Sequence, residues 1–278
     1  GIEGAQLGKL ISKFNFSWSI GSIISPLSAG LLSQKNTVFP LYAGFSLFML
    51  SGILITVASI TLPKIRMDRV MNSIKENGLS GTDNSTPLRF PAWFGIFTTY
   101  TVIGVIVNIF PIFALEQAYL DKSTVGFLLQ GRALFATLGF ILMGRTTFWH
   151  FRPAPMLLSQ AALAVCVFLL NYVSSVPSLA LVLGFMGIFM AFNYFNSLFH
   201  GVSGSINRSG RMAVHESLIS CGLITGSAVG GVLYQKFSMS LVYGICTGFI
   251  LFGLLVQGAL SWWFIKKKLK NIGPNTAL

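Results

Sequence analysis

Arg132 and Glu216 stand inside long apolar runs of this sequence, and any chemistry begins with them. Arg132 lies in the middle of the run 124–144. A guanidinium at that depth is expensive unless it faces a cavity or a partner. It therefore reads either as a contact for an anion or another bound solute, or as half of a structural pair with a carboxylate such as Glu116 or one on another helix. Glu216 lies about one turn into the run 213–234, directly after His215. A buried carboxylate can take up and release a proton. In the first turn of a helix it can equally stabilise the dipole and pair with Arg211 or Arg145. Neighbours on a helix point about 100° apart, so His215 and Glu216 do not form a dyad.

A second set of residues could line a cavity or tie helices together. Asn15 and Trp18 share one run with Ser22, Tyr100 and Asn108 share another with Thr101, and Asn193 and Asn196 share a third with Tyr194. Amides and phenols in an apolar layer need hydrogen-bond partners, so either role fits each of them. A third set is small: Gly21, Ser25 and Ala29, and again Gly222, Gly226 and Gly230, recur every four residues, a spacing that lets two helices touch backbone to backbone. Enzyme chemistry has no visible seat. His150, His200 and His215 lack metal-ligand spacing. No glycine loop ends in Lys-Ser/Thr, and Gly201-Val-Ser-Gly-Ser resembles a nucleophile motif only loosely. Cys166, Cys221 and Cys246 lie in apolar runs without CxxC spacing. No cofactor and no metal are expected.

The elements that must hold these residues follow from composition. The 278 residues are 53% hydrophobic and 9% charged, with a mean hydropathy of +0.73. That is too little charge to cover a water-soluble fold, and it excludes a disordered chain as well. Eight apolar runs, at 10–32, 38–62, 91–115, 124–144, 154–175, 178–200, 213–234 and 240–264, read as eight membrane-spanning helices. The net charge of +12 does not indicate nucleic acid, because the basic residues sit in breaks between the runs. Alternating sides places Lys9, Lys13, Lys64, Arg66, Arg69, Lys75, Arg89, Arg145, Arg152, Arg208, Arg211, Lys266, Lys267, Lys268 and Lys270 together. Only Lys35, Lys122 and Lys236 fall opposite. The positive-inside rule makes the first side cytoplasmic, with both ends of the chain on it. Trp262 and Trp263, just before Lys266, form an interfacial belt. The polar stretch 63–90 reads as a short basic amphipathic piece followed by a linker.

Shifting the sequence by 201 residues lays 19–58 over 220–259 without a gap, with 13 identities in 40 positions. Chance in so apolar a background gives about four. Spans one and two are thus repeated, in the same orientation, by spans seven and eight. Parallel repeats mark transporters built from two similar halves. By that symmetry four spans precede span one in the complete bundle. The chain is then expected to be truncated: residues 1–62 are the last two helices of a first half, 63–90 the central cytoplasmic linker, and 91–278 a complete six-helix second half with a basic tail.

On these features the chain resembles the major facilitator superfamily. The fifth helix of that family's drug and proton-coupled exporters carries GxxxGPxxGG. The corresponding residues here run from Gly21 through Ser25, Pro26 and Ala29 to Gly30, departing at Ser25 and Ala29. The repeat mate runs from Gly222 through Gly226 and Gly230 to Gly231, departing only at Ser227. The family's GxxxDRxGRR loop is reduced here to Gly144-Arg145 and Arg152, so no subfamily follows. The resemblance implies an all-α polytopic membrane protein, with eight transmembrane helices forming part of a 6+6 parallel-repeat architecture. It implies a secondary active transporter of a small solute, working by alternating access on an ion gradient, with the fifth-helix motif tilting the direction to export. Its spans three and six flank the solute path. The glycine lines then become a sliding contact between halves, and Pro26 a kink. The expected surroundings are a small-molecule substrate, the lipid bilayer of a plasma or bacterial inner membrane, four preceding helices of the same polypeptide, and no nucleic acid. The competing reading is a transporter-like sensor or assembly partner without transport.

Overall fold

A computed structural model describes residues 3–61 and 83–271, and within them every regular element is a helix. In chain order these are α1 (Gly4–Lys35), α2 (Phe39–Thr61), α3 (Arg89–Glu116), α4 (Lys122–Arg145), α5 (Pro153–Leu169), α6 (Val176–Val202), α7 (Arg208–Lys236) and α8 (Met239–Asn271). Most of the expected linker and the end of the basic tail lie outside the described residues.

Six of these helices are long and apolar enough to cross a membrane. Eight such spans were expected, and the two exceptions have separate causes. At 17 residues, α5 reaches only about 25 Å, short of a layer about 30 Å thick. α1 is long enough at 32 residues, but Lys13, Asn15 and a series of serines break its apolarity. Two of its polar residues are turned inward: Asn15 and Ser19 are buried, while Lys13, Phe14, Phe16 and Ile20 are exposed.

The core lies mainly among α3, α4, α5, α6, α7 and α8, joined by Leu7 and Ile11 of α1. Ile96, Ile106, Phe110, Phe140, Leu163, Leu183, Phe195 and Phe199 are almost fully enclosed there. Trp149 closes one end of it, donating from Nε1 to the carbonyls of Met143 (3.2 Å) and Thr146 (3.0 Å). Beyond the core the surface stays apolar: Leu41, Phe48, Ile55, Phe252 and Leu255 all point outward. Water penalises that surface and lipid does not. α2 packs only against α1 among the described helices.

Contacts sort the charged residues onto two ends. At one end Glu3 pairs with Arg208, Asp83 pairs with Arg211 at 3.6 Å, and Phe90 stacks on Phe264 at 5.4 Å. Lys266 and Lys267 lie over the rings of Trp262 and Trp263 there. At the other end Gln34 donates to Asp121 (3.1 Å) and Lys122 to the Ser33 carbonyl (3.1 Å).

Two close seams give the bundle its form. α1 runs the length of α4: Ser12 donates to the Phe140 carbonyl (3.0 Å), and the Ser12 side chain lies against Gly144. Further along, a Cβ on Gly126 would come 2.6 Å from the Pro26 carbonyl, and one on Gly30 would come 2.5 Å from that of Lys122. α3 lies along α7 in the same manner. Gly222 meets the Phe97 carbonyl and the Thr101 amide, Gly226 meets the Thr101 carbonyl, and Gly230 meets Val105.

The Gly222, Gly226 and Gly230 line packs tightly onto α3. On α1, Gly21 has nothing within 4 Å and Ser25 is exposed. The line seated on α4 passes through Ser12, Pro26 and Gly30 instead. Gly231 likewise faces open space. One step along a helix turns the contact face by about 100°, so motif spacing alone does not say which line a neighbour takes.

Candidate functional site

A cavity of about 200 Å³ lies where α1, α3, α4, α6 and α7 meet, half-way along α4. Its walls are Trp18, Ser19 and Ser22 from α1, Tyr100, Ile103 and Val107 from α3, and Arg132, Ala133, Ala136 and Phe140 from α4. Met190 of α6 and Leu223 of α7 complete it.

Arg132 is held at this level by the backbone. α4 is preceded by Asp121, whose carboxylate caps the helix by accepting from the Thr124 amide at 2.9 Å. α6 then approaches so closely that a Cβ on Gly187 would strike the Arg132 carbonyl, while Gly184 faces Phe135 and Gly139 faces Ala191. The guanidinium itself is thinly partnered. Its Nη1 points to the thioether sulfur of Met190 at 3.3 Å, a weak acceptor, and its Nε is sealed from solvent without a partner. Glu116 is not its partner, being the last residue of α3.

Four aromatic rings gather beside it. Trp18 meets Phe140 edge-on at 5.5 Å and Tyr194 at 6.0 Å. Tyr194 also meets Tyr100 at 6.3 Å and Phe140 at 5.4 Å. Asn15 holds Trp18 in place, its Oδ1 accepting from the indole N–H at 3.1 Å. Its own Nδ2 is buried without a partner. Tyr194 turns away from the cavity at its hydroxyl, which donates to Glu216 at 3.3 Å. His215 lies against the Tyr194 ring at 4.6 Å and shares a hydrogen bond with Ser197 at 2.8 Å. Glu216 thus touches the aromatic wall rather than Arg211, which pairs with Asp83.

The remaining sequence candidates lie elsewhere. Asn193 belongs to a buried network in which Ser159 donates to it at 2.6 Å, it donates to Thr99 at 3.2 Å, and Gln160 joins Thr98 and Thr99. That network ties α3, α5 and α6 and does not border the cavity. Asn196 donates to the Phe192 carbonyl and borders a separate apolar groove of about 460 Å³ between α4, α5 and α6. Asn108 joins α3 to α7 through the Ser227 hydroxyl at 2.8 Å. Of the residues expected to touch a solute, Arg132, Tyr100 and Trp18 line the cavity and Asn15 supports it. Gly187 and Tyr194 emerge as positioning residues. Gly187 had a sequence signal in its three-residue spacing from Gly184, but nothing in the sequence paired it with α4.

Among the described residues no group of three His, Cys, Asp or Glu side chains is placed to hold a metal ion. A family model described as Major Facilitator Superfamily matches residues 92–277, about two thirds of the chain. No curated protein matches the chain, and no solved structure does.

Proposed function

The chain belongs to the Major Facilitator Superfamily and is accordingly an integral, multi-pass membrane protein and a secondary transporter of some solute; we propose that it moves a small molecule by alternating access through the Arg132 cavity. The observation that carries this reading is who builds the cavity. α1 comes from before the 63–90 segment, and α3, α4, α6 and α7 come from after it. A site shared across that boundary changes its exposure whenever one side rocks against the other, which is what alternating access needs. The α1–α4 seam, with small residues on both helices, is the surface along which that rocking runs.

In this reading Glu216 is the coupling group. It accepts a hydrogen bond from Tyr194, whose ring packs on two cavity-lining rings, so a change in its protonation is felt at the solute site. An ion gradient is then the driving force. The basic end of the bundle is cytoplasmic by the positive-inside rule, and the α1 motif favours export. The open line of α1 around Gly21 and the open line of α7 around Gly231 are seats for further helices of a 6+6 bundle.

The test is uptake and efflux of a panel of radiolabelled small solutes by cells expressing the protein, at two external pH values. Arg132→Ala is expected to lower the rate at least tenfold for whichever solute moves. Glu216→Gln is expected to flatten its pH dependence. Wild-type rate and wild-type pH profile in both variants would falsify the assignment of this cavity. A gradient-independent signal with no flux of any solute favours the sensor reading instead.

A further inference from the structure

Taking the Arg132 cavity as the transport site, we infer that its solute is an organic anion: a flat, carboxylate-type head joined to a compact apolar or aromatic body. The described carboxylates are all engaged or placed away from Arg132. The sequence holds seven acidic residues. Glu3 and Asp83 pair at one end of the bundle with Arg208 and Arg211. Asp121 caps α4 at the other end, and Glu116 is the final residue of α3. Glu216 is engaged by Tyr194. Asp68 and Glu76 fall in the polar stretch 63–90, outside the described residues, and not in any apolar run. None of the five described carboxylates forms an ion pair with Arg132, whose nearest polar contact is a thioether.

That arrangement is costly. The Arg132 Nε is sealed without a partner and Nη1 has only a thioether, so the hydration lost there is poorly replaced by the described residues. A cationic solute adds repulsion to that loss, and a neutral one leaves the charge uncompensated. An anion restores it, and a planar carboxylate does so best, because two of its oxygens match the guanidinium fork. Shape adds to charge. Apart from Arg132, Ser19, Ser22 and the polar tips of Tyr100 and Trp18, the cavity is lined by apolar side chains and one thioether, with Trp18, Tyr100 and Phe140 supplying rings. Its volume of about 200 Å³ lies below that of drug-sized sites and suits a compact body.

The test uses the purified protein in lipid nanodiscs at pH 7 and three probes of one size: benzoate, benzamide and benzylamine. Equilibrium dialysis gives affinity. A Ser22→Cys variant, read as protection from maleimide labelling over the background of the native cysteines, gives location. Benzoate is expected to bind at least tenfold more tightly than benzamide, benzylamine is expected not to bind, and benzoate is expected to protect Cys at position 22. Arg132→Gln is expected to lose at least tenfold in benzoate affinity, with Arg132→Lys retaining part of it. Should Arg132→Gln not fold, the three-probe ranking on the unaltered protein decides alone. Equal binding of benzoate and benzamide, with protection at position 22, overturns the anion assignment and leaves the cavity standing as the site. No protection by any probe, together with unchanged flux in Arg132→Ala, overturns the cavity itself and the anion with it. Failure of benzoate to bind while benzamide protects position 22 shows that a carboxylate from elsewhere in the protein already neutralises Arg132, and that also overturns the inference.

Discussion

α1 and α7 are repeat mates, offset by 201 residues, yet each seats a different line of the shared pattern. On α7 the seated line is Gly222, Gly226 and Gly230, buried against α3. Their mates on α1 are Gly21, Ser25 and Ala29, and Gly21 meets nothing. On α1 the seated line is Ser12, Asn15, Ser19, Pro26 and Gly30, against α4. Its mates are Ala213, Glu216, Ser220, Ser227 and Gly231, of which the first three are exposed. A helix of this kind therefore carries two seats on one cylinder, one for each of two neighbours. Where only one neighbour is present, the other seat stays largely open, although Ser227 still accepts from Asn108 of α3. The glycine motif marks a helix with two contact faces and does not mark a single interface.

This contrast breaks most sharply at Gly226. Its Cβ would strike the Thr101 carbonyl, which is backbone and cannot yield. Gly226→Leu is expected to cost about 3 kcal/mol, while the mate substitution Ser25→Leu costs less than about 0.5 kcal/mol. Thermal unfolding followed with a thiol-reactive dye measures both, since Cys166 and Cys246 become reactive only when the core opens. Equal losses at the two positions break the comparison. Next comes the other seat: Gly30→Leu, facing the Lys122 carbonyl near a helix end, is expected to cost about 2 kcal/mol, and Gly231→Leu close to nothing. Smaller still are the single polar ties, one in each seam. Asn108→Ala removes the bond to Ser227, and Ser12→Ala the bond to the Phe140 carbonyl. Each is expected to lower stability by about 1 kcal/mol, and the two losses should add because the seams are separate.

The smallest effect is a pH dependence confined to the α1–α4 seam. Hydrogen bonds from Ser123 and Thr124 hold the Asp121 carboxyl well below the usual carboxylate range. A carboxyl depressed in the folded state contributes stability above its unfolded pKa and loses it as pH falls through the folded one. The Gln34–Asp121 latch is therefore expected to weaken only below pH of about 4. Asp121→Asn should remove that acid-side slope, and nothing comparable is expected between α3 and α7. Proteolysis of α1, or thiol labelling of a cysteine introduced into it, as a function of pH reads the difference.

The same contrast explains what the sequence made legible. Run lengths and the 201-residue repeat were enough for a polytopic helical membrane protein, because apolar length and self-similarity are local and countable. Arg132 announced itself because a charge in an apolar run has few places to go. The fate of the amides was not legible: Asn193 and Asn108 satisfy themselves on partners 94 and 119 residues away, and no spacing rule reaches that far. Glu216 was ambiguous for a similar reason, since its hydrogen-bond partner Tyr194 lies on another helix. Gly187 was missed because what it accommodates is the backbone of a different helix, a fact about the neighbour rather than about its own surroundings in the sequence.

The inward-turned polar face of α1 also has a consequence in time. Ser12 and its acceptor on Phe140 are 128 residues apart in the chain. At about 5–20 residues per second, α1 leaves the ribosome roughly 6 to 26 seconds before the segment that will receive it. Through that interval Ser12 has no α4 to bond to, and Asn15 and Ser19 have no α4 to cover them. Biogenesis of this protein therefore includes a waiting helix, whose polar stripe must be kept out of lipid until its partner has been made.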